Sequence, residues 1–352
     1  MTTYASDLAD LGWNPFFTAQ LDPDERPALL PVRVMAVHRD RLHVTGPGID
    51  TLVPPFLDAP DDPGSAATVG DWLLLDDALR PRRLLKRRSL FKRRAAGTGR
   101  RIQLIAANVD TLFIVSSCNQ DFSVARLERY LALAGEAEVT PVVVLTKTDL
   151  ADDPAAYVRA AAALLPGLRV ELVDSRDPAS VAGLLPWCGH GQTVALVGSS
   201  GVGKSTLINT LTRTEGIATQ SIRVGDDTGR HTTTGRQLYR LPAGGWLVDT
   251  PGMRELPLAD VKSGIEEVFA DLAELAGTCR FADCRHEAEP GCAVRAAVEA
   301  GTLDAGRLQR WRKLGAEEAR NTMSLADRRA RSRAFGKMGK RATKDKQSRQ
   351  EE

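Results

Sequence analysis

The residues best suited to chemistry in this 352-residue chain form a run of small residues ending in lysine, "GSSGVGKST" at 198–206. Gly198, Ser199, Ser200, Gly201, Val202, Gly203, Lys204, Ser205 and Thr206 follow the pattern glycine, four residues, glycine, lysine, serine or threonine. The flanks fit the pattern, because "TVALV" before it reads as a buried strand and "KSTLINTLT" as a helix. Glycines let backbone N–H groups curl around phosphate oxygens at a helix N-terminus, where partial positive charge already sits. Lys204 would reach the β and γ phosphates of a nucleotide, and Ser205 would ligate Mg²⁺. Downstream, "LVDTPGM" ends an apolar strand with Asp249, suited to hold that metal through water, and Gly252 can offer its N–H to the γ-phosphate. Between them, "DTGRHTTTG" at 227–235 has the composition of a switch loop. One of Thr232, Thr233 and Thr234 is expected to complete the metal shell.

A second motif addresses the base. Guanine presents N1–H and N2–H₂ donors together, and a carboxylate accepts both. Thr146, Lys147, Thr148 and Asp149, "TKTD", follow the strand "PVVVL", which puts Asp149 at the carboxyl end of a parallel strand, where open α/β sheets bind ligands. Lys147 would lie along the base plane, and Ser175 in "VDSRD" ends the next strand and would flank the base. The order is unusual, since the base reader precedes the phosphate loop by about fifty residues. A sheet needs only spatial neighbours, so the connectivity can be cut in one loop and rejoined at another without moving the site. A circularly permuted GTPase accounts for both motifs, whereas an ATPase leaves "TKTD" unexplained.

A third cluster, "CRFADCRHEAEPGC", gathers Cys279, Cys284, His286 and Cys292 within fourteen residues. Three thiolates and an imidazole make a closed tetrahedral set for structural Zn²⁺, with no position left for chemistry. Pro290 and Gly291 supply a turn to bring Cys292 back. Cys118 and Cys188 stand alone in apolar surroundings and read as inert packing residues. His38, His43 and His190 have no partners visible in the sequence. Ras-like enzymes orient the attacking water with a glutamine just after the "DTPG"-type motif. Here that position is Met253, so slow intrinsic turnover is expected, with a partner completing the site. His231 in the switch loop is the nearest polar candidate for positioning the water.

Around these motifs the elements arrange themselves. Residues 31–100 read as short alternating strands broken by Gly, Pro and Asp, a small β-barrel. Residues 1–30 form an extension whose "LGWNPFF" docks on a neighbour. From 101 to 261, near-continuous apolar strands alternate with helices, which implies a parallel sheet covered on both faces. Residues 262–325 read as mostly helical, and 326–352 as a basic tail without a core. The segment after "DTPG" leads toward the zinc region, while the barrel is expected at the other end of the sheet.

The net charge of +2 hides an asymmetry: residues 1–79 hold 13 acidic residues against 4 Arg, whereas 80–101 hold 11 basic residues and no acidic one. With the basic tail, this pattern suggests a polyanionic partner. The apolar fraction of 43% and charged fraction of 26% are those of a soluble globular protein. No apolar run is long enough to span a membrane, the first residues lack a signal-peptide pattern, and five cysteines point to a reducing cytosol.

The chain as a whole resembles the ribosome small subunit-dependent GTPase A family, circularly permuted bacterial GTPases of small-subunit assembly. "LIAANVDTLFIV", "GRHTTT" and "LGWNPFF" carry the resemblance alongside the nucleotide motifs. It implies a multidomain α/β protein with an oligonucleotide-binding barrel, a permuted P-loop GTPase and a zinc domain. It also implies Cys279, Cys284, His286 and Cys292 as zinc ligands, and it points to His231 as the catalytic residue. GTP and GDP, Mg²⁺, one Zn²⁺ and the small subunit with its RNA are the implied ligands and partners, in the cytoplasm. Nothing in the sequence demands more than a monomer. The rival readings are an RNA-binding module that uses GTP only as a switch, and a P-loop ATPase acting on another nucleic acid.

Overall fold

The computed structural model describes residues 8–22, 29–59, 63–94, 102–213, 236–249 and 261–322. His231, Thr232, Thr233, Thr234, Gly252 and the basic tail lie outside them.

Five strands form the N-terminal barrel: β1 (Leu30–Val37), β2 (Leu42–Gly46), β3 (Ile49–Val53), β4 (Trp72–Leu75) and β5 (Pro81–Leu84). All pair antiparallel, in the order β3-β2-β1-β4-β5. Side-chain alternation divides β1 and β4 between two cores. Val32, Val34, Leu73 and Leu75 fill the barrel, while Met35, Trp72 and Leu74 face outward into the main core. The segment "LGWNPFF" docks on that outward face. Its short helix α1 (Pro15–Thr18) is capped by Asn14, which accepts a hydrogen bond from Phe16 N. Trp13 and Phe17 pack on Trp72, with ring centroids 4.8 and 5.7 Å apart.

The basic segment then forms the ribbon β6 (Leu90–Arg94) and β7 (Ile102–Ala107). Several of its arginines are internal struts. Arg87 makes a bidentate pair with the buried Asp71 at 2.8 Å and also donates to Gly64 O and Ala66 O. Arg88 pairs with Asp110 at 2.5 Å. Arg80, Lys86 and Lys92 remain exposed.

The central sheet comprises β8 (Thr111–Ser117), β9 (Thr140–Thr146), β10 (Arg169–Leu172), β11 (Thr193–Gly198), β12 (Arg236–Arg240) and β13 (Trp246–Asp249). Its order is β10-β9-β8-β11-β13-β12, parallel except for β12. Both faces are covered, so both sets of alternate side chains are apolar. Ile114, Val143, Leu145 and Val197 face helices α2 (Val124–Glu136) and α6 (Lys262–Val268). Phe113, Val115, Val142, Val144 and Leu196 face α5 (Lys204–Thr212) and α4 (Pro178–Val181). Helix α3 (Pro154–Ala162) connects β9 to β10.

The barrel does not join the far end of the sheet. Strand β1 pairs with β12 through Ala36–Gln237 and Val37–Arg236, beside the strand that carries Asp249. The physical reason is that β12 would otherwise present an unpaired edge, and β1 extends the sheet across it. Of the C-terminal helices α6, α7 (Ala270–Gly277), α8 (Ala293–Glu299) and α9 (Ala305–Thr322), α6 packs directly on α2, α7 and α9 pack on α6, and α8 packs on α7. Gly264 of α6 lies so close to α2 that a Cβ there would sit 2.0 Å from Ala132 O. The fully buried Glu128 of α2 meets Arg310 at 2.8 Å and Arg307 at 3.5 Å, both from α9.

Candidate functional site

The phosphate loop leaves β11 at Gly198 and enters α5 at Lys204, with Gly203 at the helix N-cap position. Gly203 has φ +97, in the left-handed region that favours glycine, and a Cβ there would lie 3.2 Å from Ser175 Oγ and 3.5 Å from Thr146 Oγ1. No side chain caps α5, so its first-turn N–H groups remain for an anion. Lys204 is buried, and its ammonium donates to Gly198 O at 2.7 Å and to Ser199 O. Ser205 and Thr206 follow on the first turn, both half-buried, while Ser200 and Gly201 lie at the loop's outer bend with Gly201 exposed.

The "TKTD" loop meets the phosphate loop directly. Thr146, fully buried at the end of β9, has its hydroxyl 2.6 Å from Val202 O and 3.1 Å from Ser116 O. One proton serves one acceptor, and the shorter contact is the one across to the phosphate loop. Lys147 then adopts a left-handed conformation, φ 54 and ψ 39, which starts the single turn Thr148–Leu150 and carries Asp149 outward. Such a conformation is uncommon for a non-glycine residue. The neighbouring loop is fixed by α5, whose Thr210 Oγ1 donates to Ser175 O at 2.7 Å, and Ser175 itself is buried. Asp249 ends β13, in register with Gln237 of β12. The carboxyl ends of β9, β10, β11 and β13 thus share one edge of the parallel sheet, and the motifs separated in sequence meet there.

Two contacts in this site are absent from the sequence reading. Arg176 reaches from the Ser175 loop to Asp149 at 3.1 Å, and it pairs with Asp174 at 3.2 Å. Both lie in or beside "VDSRD", the stretch already singled out for Ser175, but only the fold brings Arg176 to Asp149. Two histidines without partners in sequence also acquire them: His43 meets Asp50 at 2.6 Å across the β2–β3 pair, and His190 pairs with Asp10 of the N-terminal segment. The isolated cysteines are buried, and burial raises the Cys118 thiol pKa and pushes Cys188 up to about 12. Both stay protonated thiols at neutral pH.

The metal cluster assembles as its spacing suggests. One ligand atom from each of Cys279, Cys284, His286 and Cys292 lies within 4.8 Å of the others. His286 Nδ1 is 3.4 Å from Cys292 Sγ and 3.6 Å from Cys279 Sγ, and those two sulfurs are 4.0 Å apart. A tetrahedral site with Zn–S of about 2.3 Å implies sulfur separations of about 3.8 Å, so the set fits zinc. Desolvation lowers the His286 pKa and favours the neutral, ligating imidazole, whose ring packs on Trp311 at 5.4 Å. Gly291 makes the left-handed turn into Cys292, which opens α8. The carboxylate of Glu289 accepts from the N–H groups of Arg285, Glu287 and Ala288 and so frames the loop between His286 and Cys292.

Residues 84–259 match the family model described as RsgA GTPase. A small ribosomal subunit biogenesis GTPase RsgA from Mesorhizobium japonicum is 52% identical over 330 residues, covering 92% of this chain and 93% of that protein. The chain belongs to the RsgA GTPase family. A small ribosomal subunit biogenesis GTPase RsgA 2 from Vibrio parahaemolyticus is 47% identical, covering 99% and 96% of the two chains. The crystal structure of YjeQ from Thermotoga maritima aligns with a TM-score of 0.58 at 25% identity, over 81% of this chain and 97% of that one. YloQ, described as a circularly permuted GTPase, shares the fold with a TM-score of 0.56 at 23% identity, over 84% and 97%. Family and fold together make this chain a P-loop GTP hydrolase of permuted order, which needs Mg²⁺ for its nucleotide and carries a Cys₃His set fit for one zinc.

Proposed function

We propose that this GTPase binds the small ribosomal subunit, assists its late maturation, and hydrolyses GTP to GDP and phosphate with the subunit as stimulator. The observation that carries the reading is the Thr146–Val202 contact, which joins a guanine reader to the phosphate loop despite their reversed order. The relatives' names supply the partner.

In this reading Asp149 accepts the two guanine donors, Lys147 lies along the base and Ser175 flanks it. The glycines and the first turn of α5 cradle the phosphates, with Lys204 leaving its loop carbonyls for the β and γ oxygens. Mg²⁺, when bound, neutralises charge developing on those oxygens. Ser205, Asp249 and Thr233 or Thr234 hold it, Gly252 meets the γ-phosphate, and His231 positions the water. The zinc residues are structural. The chain divides at about residues 30, 100, 261 and 325 into extension, barrel, GTPase domain, zinc domain and tail, and works as a cytoplasmic monomer. Among the described residues no helix is long and apolar enough to cross a membrane.

The test is hydrolysis of GTP, with ATP as control, by the purified protein with and without small subunits. Strong stimulation of GTP turnover by the subunit, abolished in His231→Ala, is the expected result. GTP turnover indifferent to the subunit would remove the assembly role while leaving the GTPase, and equal use of ATP would remove Asp149 as base reader.

A further inference from the structure

We propose that Arg176 is a positioning residue for guanine recognition: anchored on Asp174, it orients the Asp149 carboxylate that reads the base. This rests on Asp149 being the base reader, as proposed above.

The geometry shows how one guanidinium serves two carboxylates. Arg176 Nε lies 3.2 Å from Asp174 Oδ1 and Nη2 lies 3.3 Å from Asp174 Oδ2, a fork on a fork. The Arg176 backbone N–H also donates to Asp174 Oδ1, at 3.0 Å. Nη2 carries two N–H groups, and it lies 3.1 Å from Asp149 Oδ2 as well. That contact occupies one acceptor site on one oxygen. Oδ1 and the second lone pair of Oδ2 remain for the N1–H and N2–H₂ of guanine.

The anchor itself is fixed. Asp174 N donates to Ser180 Oγ of α4 at 2.9 Å, and Ser175 O accepts from Thr210 of α5. Asp149, by contrast, stands exposed on a single turn after a left-handed lysine. A short carboxylate in that setting has free rotamers, and reading two donors at once requires one of them. Arg176 supplies that choice from a loop tied to the phosphate-loop helix. The pairing with Asp174 raises the Arg176 pKa and lowers that of Asp174, so both are ionised across the neutral range. The Arg176 side chain is 66% exposed, so replacing it does not threaten the fold.

The experiment measures affinity of the full-length protein for GDP, for inosine diphosphate, which lacks the 2-amino group, and for ADP. Wild type is compared with Arg176→Ala, Asp174→Ala and the double variant. Both single variants are expected to narrow the preference for GDP over inosine diphosphate by about threefold, the scale of an exposed charge pair. The double variant should go no further, because the two residues act as one unit. Arg176→Lys should restore little, since an ammonium cannot fork onto Asp174 and reach Asp149 as well. Equal weakening of GDP and inosine diphosphate would make the loop merely structural and overturn the inference. Tighter GDP binding in Arg176→Ala would also overturn it, by showing that the arginine competes with the base. A wild type that does not prefer GDP over either analogue would instead reject Asp149 as base reader, a separate failure.

Discussion

At the scale of single residues, the site depends on one buried hydroxyl. Thr146 sits where the proposed base-reading loop begins, and its proton goes to the carbonyl of Val202 in the phosphate loop. Valine has nearly the same shape and removes only that donor, leaving a buried carbonyl short of a partner. Thr146→Val is therefore expected to weaken GDP binding about fivefold, equivalent to about 1 kcal/mol, and to lower the melting temperature of the nucleotide-free protein as well. Unchanged affinity in a titration would mean that the two loops hold their positions without the contact. The residues of this site were largely legible in the sequence, because phosphate loops, base readers and metal clusters are set by local spacing. Thr146 ends β9 and Lys204 opens α5, as the pattern around each implies, and Cys279, Cys284, His286 and Cys292 come together in one cluster. Arg176 was not legible, since its role arises where β9 and β10 end side by side, a tertiary fact.

Among elements, the packing of helices on α2 shows why the zinc region is not a loose appendage. In "KSGIEEV" Gly264 reads as an ordinary weak spot in a short helix. The fold makes it a point of contact, since a Cβ would sit 2.0 Å from Ala132 O. Gly264→Ala must push α6 off α2, an overpacking expected to cost about 1–3 kcal/mol and visible as a lower melting temperature. A variant as stable as wild type would show that α6 can slide without loss. The metal loop has its own organiser. Glu289→Ala removes the acceptor for three backbone N–H groups, and faster zinc release to a chelator at neutral pH is the expected result. The backbone N–H of Glu289 itself, together with those of Glu287, Arg285 and Ala288, pulls the Glu289 pKa from 4.5 to about 2. The folded value is the lower one, so the contribution is complete above about 4.5 and is lost only as pH falls toward 2. Zinc release at milder acidity therefore reports protonation of the cysteine and histidine ligands, and Glu289→Ala should move its midpoint to higher pH, because fewer protons empty a weaker site.

At the scale of the molecule, barrel and GTPase share a sheet through β1 and β12, and Arg33 locks that junction. In "PVRVMAV" the arginine occupies the outward side of an amphipathic strand, which in isolation reads as solvent-facing. The outward side of β1 faces the rest of the protein instead, and Arg33 is 1% exposed. It donates to Leu11 O of the N-terminal segment at 2.5 Å, to Thr193 Oγ1 at the start of β11 at 2.7 Å, and to Asn108 O at 3.4 Å. Burial lowers its pKa to about 10, so it remains a cation at neutral pH, with Asp110 and Asp71 as the nearby counter-charges. Strand β11 runs from this contact to the phosphate loop, so one side chain touches the extension, the barrel and the strand that bears the site. Arg33→Ala leaves three acceptors short of a donor and removes a buried cation from beside Asp71 and Asp110, which keep Arg87 and Arg88 as partners, at a cost of about 3 kcal/mol. The cost should fall on the junction rather than on either core, whose apolar clusters Arg33 does not fill. In calorimetry the wild type is expected to melt in one transition that GDP raises as a whole. The variant should melt in two, with GDP raising only the transition of the GTPase domain. A single transition that GDP still raises in Arg33→Ala would assign the coupling to Met35, Trp72 and the β1–β12 pairing instead, leaving the arginine a dispensable part of the junction.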